Sequence, residues 1–155
     1  MANEDINKDI NKNINKKTTS EVGKTMEPDE MRFHHVGIAT ADIPTMQEYL
    51  KSIARVTYIT DIVFDEQQRA NLCMVTLSDG TDIELISGPQ VEKLVKKRNF
   101  LYHTCYEVAD IEAKIDILVE KGAMLVSEPK EAILFNRKKV AFLMTAMGLI
   151  ELVES

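Results

Sequence analysis

The stretch Phe33-His-His-Val-Gly-Ile-Ala-Thr-Ala-Asp-Ile43 has a divergent counterpart later in this chain. That counterpart is Leu101-Tyr-His-Thr-Cys-Tyr-Glu-Val-Ala-Asp-Ile111, 68 residues further on. His35 falls on His103, and Ala41-Asp42-Ile43 falls on Ala109-Asp110-Ile111. A second pair keeps the same register. Asp82-Ile-Glu-Leu-Ile86 falls on Leu149-Ile-Glu-Leu-Val153, with Glu84 on Glu151 at an offset of 67. Two offsets that agree within one residue, at both ends of a unit, mark an internal duplication.

Working outward, each unit reads the same way. An apolar, β-prone strand opens it (Phe33–Ala39; Leu101–Val108). Asp42 and Asp110 then stand where a helix N-cap belongs. Amphipathic helices follow over Pro44–Ala54 and Ile111–Lys121, the second stopped by Gly122. Three strands complete each unit. They are expected at Val56–Phe64, Asn71–Leu77 and Asp82–Ser87, then at Ala123–Val126, Lys139–Thr145 and Gly148–Val153. Ser78-Asp79-Gly80 reads as a hairpin turn. A linking helix, Gln90–Arg98, joins the modules, about 32–88 and 100–154. The expectation is an α+β fold, βαβββ twice, with a curved and mostly antiparallel sheet.

The remainder of the 155 residues is different in kind. Residues 1–30 hold only seven apolar residues and repeat Ile-Asn-Lys with period four, which reads as a polar, flexible tail. The domain is expected over 31–155. Of the net charge of -6, the tail carries -2 and the domain -4. The pI of about 5.1 disfavours nucleic acid. No run of apolar residues is long enough to span a membrane. Cys73 and Cys105 both sit in apolar runs and read as reduced core residues, consistent with a cytoplasmic location. The methionines read as core filler.

The duplication places four ionisable side chains at matching positions: His35 and Glu84, then His103 and Glu151. Each His is on the first strand of its unit, and each Glu is on the last. Alternation along a strand puts each Glu on one face and its Ile and Leu neighbours on the other. If the units curve together, all four converge. Two imidazoles and two carboxylates suit a divalent Zn, Ni, Co, Mn or Fe ion, with room for two exchangeable ligands. The same alternation sends His34 to the opposite face, as a structural residue. The basic clusters Lys96-Lys97-Arg98 and Arg137-Lys138-Lys139 read as solvated faces, with an anion grip as the functional alternative.

Several motifs together resemble the vicinal oxygen chelate superfamily, which includes glyoxalase, bleomycin-resistance proteins and extradiol dioxygenases. They are His-Val-Gly-Ile-Ala before an Asp-capped helix, Ile-Glu-Leu before Gly-Pro, Tyr-His-x-x-Tyr-Glu-Val-x-Asp-Ile, and Gly-Leu-Ile-Glu-Leu-Val-Glu near the end. The resemblance spans residues 32–154 and is nearest to methylmalonyl-CoA epimerase. It implies the glyoxalase-like fold around a metal site held by His35, Glu84, His103 and Glu151. It also implies proton abstraction next to a carbonyl with a metal-stabilised enolate, with Glu151 the first candidate base and Glu84 its symmetry-related partner. The alternatives are a lactoylglutathione lyase-like enzyme and a non-catalytic binding module of the resistance type. The expected partners are a small molecule, an acyl-CoA or thiol adduct, and a second copy of the chain in a homodimer. Two segments depart from the epimerase pattern. Met144-Thr-Ala-Met-Gly148 is short where a longer loop is usual, and Ala132–Lys139 replaces a glycine-rich turn.

Overall fold

The computed structural model describes residues 26–27 and 29–155, so the period-four repeat lies outside the described residues. The first module runs β1 (Arg32–Ala39), α1 (Ile43–Ile53), β2 (Val56–Ile59), β3 (Val63–Asp65), β4 (Ala70–Leu77) and β5 (Asp82–Ser87). A short α2 (Glu92–Lys96) links it to β6 (Leu101–Val108), α3 (Ile111–Glu120), β7 (Met124–Glu131), β8 (Lys139–Thr145) and β9 (Gly148–Glu154).

The helices begin where their caps stand. The Asp42 carboxylate accepts from the Thr45 N–H at 2.8 Å, and the Asp110 carboxylate accepts from the Ala113 N–H at 2.9 Å. Helix α1 lays Ile43, Met46 and Leu50 on Cys73, Val75 and Leu85. Helix α3 lays Ile111, Ile115 and Leu118 on Leu143, Ile150 and Leu152. Both cysteines are buried and free. Lys114 on α3 is also buried, and its ammonium donates to the Asp29 carbonyl at 2.6 Å, tying down the chain before β1.

The strands of the described residues form one sheet in the order β2-β4-β5-β1-β6-β9-β8-β7, with β3 on the β4 edge. Among the described residues only the β1/β5 and β6/β9 ladders are parallel. The modules join within one chain, through the antiparallel β1/β6 ladder at the middle of the sheet. There His35 faces Cys105 and Gly37 faces His103, symmetrically about the Val36/Thr104 pair.

Three expectations change. The strand expected over Val56–Phe64 is two strands, because the Thr60 hydroxyl accepts the Met74 N–H at 2.9 Å and takes the place of a ladder carbonyl. Strand β7 runs past Val126 to Glu131, and Pro129 is accommodated because β7 is an edge strand. Met124, Met144 and Met147 are exposed rather than core filler.

Candidate metal centre

The central ladder and the two parallel ladders bring the four predicted residues to one point. Gly37 pairs with Glu84 across β1/β5, and Cys105 pairs with Glu151 across β6/β9. Each Glu points away from the Ile and Leu that flank it, since those pack beneath α1 or α3. The result is a cluster of His35, Glu84, His103 and Glu151 in which no side chain is more than 2% exposed.

The distances fit those expected between the ligand atoms of a bound ion. His35 Nε2 lies 3.2 Å from His103 Nε2. It lies 3.5 Å from Glu84 Oε2 and 3.2 Å from Glu151 Oε2. His103 Nε2 lies 3.2 Å from Glu84 Oε2 and 3.4 Å from Glu151 Oε2. A hydrogen bond points at one acceptor, whereas here four donor atoms face a common centre. Ligands held about 2.1 Å from an ion stand about 3.0–3.4 Å apart in octahedral or tetrahedral geometry. Among the described residues nothing donates a hydrogen bond to Glu84 Oε1 or to either carboxylate oxygen of Glu151. Buried carboxylate oxygens left so are costly unless a cation satisfies them. The donor set therefore fits a divalent ion.

Charge agrees. Burial opposes an imidazolium at His103, but the adjoining Glu151 and Glu84 outweigh it and raise the pKa to about 9. His35 is raised against its burial by the same two carboxylates. Burial opposes charge at Glu151, yet His103 and His35 hold its pKa down at about 2. Burial, then Glu151, pushes the Cys105 thiol up, so it remains protonated.

Residues 34–142 match the glyoxalase/bleomycin resistance protein/dioxygenase superfamily. The chain belongs to that superfamily. No curated protein sequence matches it. Among solved structures, methylmalonyl-CoA epimerase from Mycobacterium tuberculosis superposes with a TM-score of 0.68 at 21% identity, over 86% of this chain and 93% of that one. A hypothetical protein from Bacillus halodurans C-125 gives 0.63 at 25%, over 82% and 96%. A Streptomyces coelicolor methylmalonyl-CoA epimerase variant in complex with 2-nitronate-propionyl-CoA gives 0.60 at 23%, over 80% and 96%. These likenesses establish the glyoxalase-like fold.

Within this superfamily member, several residues near the cluster escape a reading by alternation. The β1/β6 register slips at two places, with His34 the extra residue of β1 and Tyr102 the extra residue of β6. The duplication relates these two residues. Each bulge turns an aromatic ring toward the neighbouring cluster histidine, His34 to His35 and Tyr102 to His103, both at 5.1 Å between ring centroids. His34 therefore does not face away, as alternation predicts. Its Nδ1 lies 2.9 Å from His35 Nδ1. Burial, then His35, lowers the His34 pKa.

Phe135, on the 3-10 turn Ile133–Phe135, stacks on the His35 ring at 5.4 Å and 22°. Phe142 meets His103 edge-on at 5.4 Å. Gly37 leaves a bare backbone for the His103 ring. A Cβ there would fall 2.3 Å from Cε1 and 2.6 Å from Nδ1 and Nε2.

Two cavities flank Tyr102. One, of about 530 Å³, is lined by His103, Gln90, Lys93, Asn99 and Met147, and no carboxylate is among its lining residues. The other, of about 230 Å³, has Asp65, Glu128 and Glu131 against Lys130. The two basic clusters lie elsewhere. Arg137, Lys138 and Lys139 face Glu131, Glu107 and Glu112, and Lys96 faces Glu92. Among the described residues, Lys93 is the cation that lines the cavity shared with His103. The signal that could have found it is position alone, one turn before the basic run on the same helix.

Proposed function

We propose that this protein is a metal-dependent isomerase of the epimerase type, removing a proton next to a substrate carbonyl. The observation that carries this reading is the convergence of His35, Glu84, His103 and Glu151, buried and short of hydrogen bonds, beside a cavity that His103 lines. Bound by those four side chains, a divalent ion would supply Lewis-acid neutralisation of charge at the carbonyl oxygen. Glu151 is the base. In the metal-free protein His103 and His35 hold its carboxyl below the usual carboxylate range against its burial, so it is ionised at neutral pH. Glu84, its counterpart across the pseudo-twofold axis, is the group we assign to return a proton to the other face. Tyr102 stays a neutral phenol and hydrogen-bond donor, because burial and then Glu84 and Glu151 raise its pKa.

The Lys93 cavity suits an anionic substrate such as an acyl-CoA or a thiol adduct, and the structural likeness to methylmalonyl-CoA epimerases supports the former. A lactoylglutathione lyase-like reaction draws on the same four residues. No helix among the described residues is long and apolar enough to cross a membrane. A homodimer in the cytoplasm is our proposal for its setting, with the open edges β2 and β7 available for pairing.

The test is solvent deuterium exchange into a panel of acyl-CoA and 2-oxoaldehyde–thiol substrates. The wild type should exchange one position with added divalent metal, and Glu151→Gln should lose it by about 10²-fold or more. Full exchange by Glu151→Gln would remove Glu151 from the role of base.

A further inference from the structure

We propose that His34 is a positioning residue, which holds the His35 ring for the metal through an imidazole–imidazole hydrogen bond. This rests on the metal reading above and adds a residue outside the duplicated ligand set.

The argument begins with the bulge. An extra residue in β1 places two consecutive histidines on the same side of the ladder, where regular alternation would separate them. Their Nδ1 atoms are 2.9 Å apart, within hydrogen-bond distance, so one of the two carries the hydrogen. The choice follows from the other end of the His35 ring. Its Nε2 faces Glu84, Glu151 and His103 Nε2, so it must offer a lone pair to a cation. His35 then carries its hydrogen on Nδ1 and donates it to His34 Nδ1. His34 in turn carries its hydrogen on Nε2. A ligating histidine whose second nitrogen donates to an acceptor has a fixed tautomer, a fixed ring plane and a more basic ligand atom.

Phe135 braces the pair. It stacks on His35 and meets His34 edge-on at 5.6 Å. His103 has aromatic neighbours of its own in Tyr102 and Phe142, but no hydrogen bond at its second ring nitrogen. That Nδ1 is buried without a partner among the described residues, and the ring is seated on Gly37. The asymmetry has a cause in the ladder. The residue opposite His103 is Gly37, but the residue opposite His35 is Cys105, whose side chain denies His35 a bare backbone to rest on. One histidine is located by packing and the other by a hydrogen bond.

The test compares His34→Phe, which keeps a flat ring against Phe135 and removes the acceptor, with His34→Gln, which offers an amide oxygen. Affinity for Zn and Co is measured against a chromophoric chelator, and the visible spectrum of the Co-loaded protein reports the ligand field. We expect His34→Phe to lose about 10- to 100-fold in affinity and to shift the Co spectrum. His34→Gln should recover most of the loss. If the wild type binds metal and His34→Phe matches it within about twofold, the proposal is overturned while the metal reading stands. Equal losses in the Phe and Gln variants also overturn it, because packing alone would then explain the effect. A wild type that takes up neither metal overturns both.

Discussion

Replacing Gly37 with Ala adds one methyl group, and the structure says where it goes. The new Cβ would sit 2.3 Å from Cε1 of His103, about 1.1 Å short of ordinary van der Waals contact. Neither partner yields easily. Gly37 lies in the central β1/β6 ladder, with β5 on its other side. The His103 ring is buried among Tyr102, Phe142 and the cluster itself. Moving the ring by about 1 Å takes Nε2 well outside the roughly 0.2 Å tolerance of a metal–nitrogen bond. Two effects follow. Metal affinity should fall by about 100-fold or more, since disturbing even an outer partner of a ligand costs 10- to 100-fold. The metal-free protein should lose about 1–3 kcal/mol to overpacking. The assay is chelator competition for the first and urea unfolding in the presence of EDTA for the second. A double-mutant cycle isolates the cause. In a His103→Ala background the ring is gone, so Gly37→Ala should cost almost nothing. Wild-type affinity in Gly37→Ala, or an unchanged cost in the His103→Ala background, would refute the reasoning.

Two further predictions concern charge. In the metal-free protein the His103 pKa of about 9 lies above its ordinary 6.5, so its contribution is complete below pH 6.5 and is lost as pH rises through 9. Glu151 works the other way, stabilising above its ordinary 4.5 and losing this as pH falls toward 2. Urea midpoints in EDTA should therefore peak between about pH 4.5 and 6.5, and a flat profile from 6.5 to 9 would contradict the coupling of His103 to the glutamates. The second concerns Lys93, which is exposed and lines the His103 cavity. Lys93→Gln should raise KM for an anionic substrate about two- to fivefold with kcat little changed, whereas an unchanged KM would place the anion elsewhere.

Much of the architecture was legible because the duplication states each element twice. The Asp caps at 42 and 110, the opening strands and the last strands came from paired positions whose local chemistry is unambiguous. The four candidate ligands were legible for the same reason, since a polar residue recurring in register inside an apolar strand is hard to explain as surface. Two of the features that were missed, the length of β7 and the place of Phe135, had no repeated signal. Strand β7 continues through Pro129 because its edge position makes no demand on that nitrogen, and edge position is a property of the sheet. Phe135 reads as an ordinary loop residue until its turn folds back over His35.

His34 marks the boundary between the two kinds of information. Residue identity, order and alternation were enough to predict two modules and to name His35, Glu84, His103 and Glu151. They set local conformation and the face each strand buries, and these depend on near neighbours in the chain. The side on which His34 lies depends on how β1 pairs with β6, a strand 68 residues away, and a one-residue slip in that pairing reverses the answer. The same holds for the seat that Gly37 provides for His103 and for the separations of 3.2–3.5 Å among the cluster atoms. Those are distances between distant parts of the chain, and only the closed tertiary structure decides them.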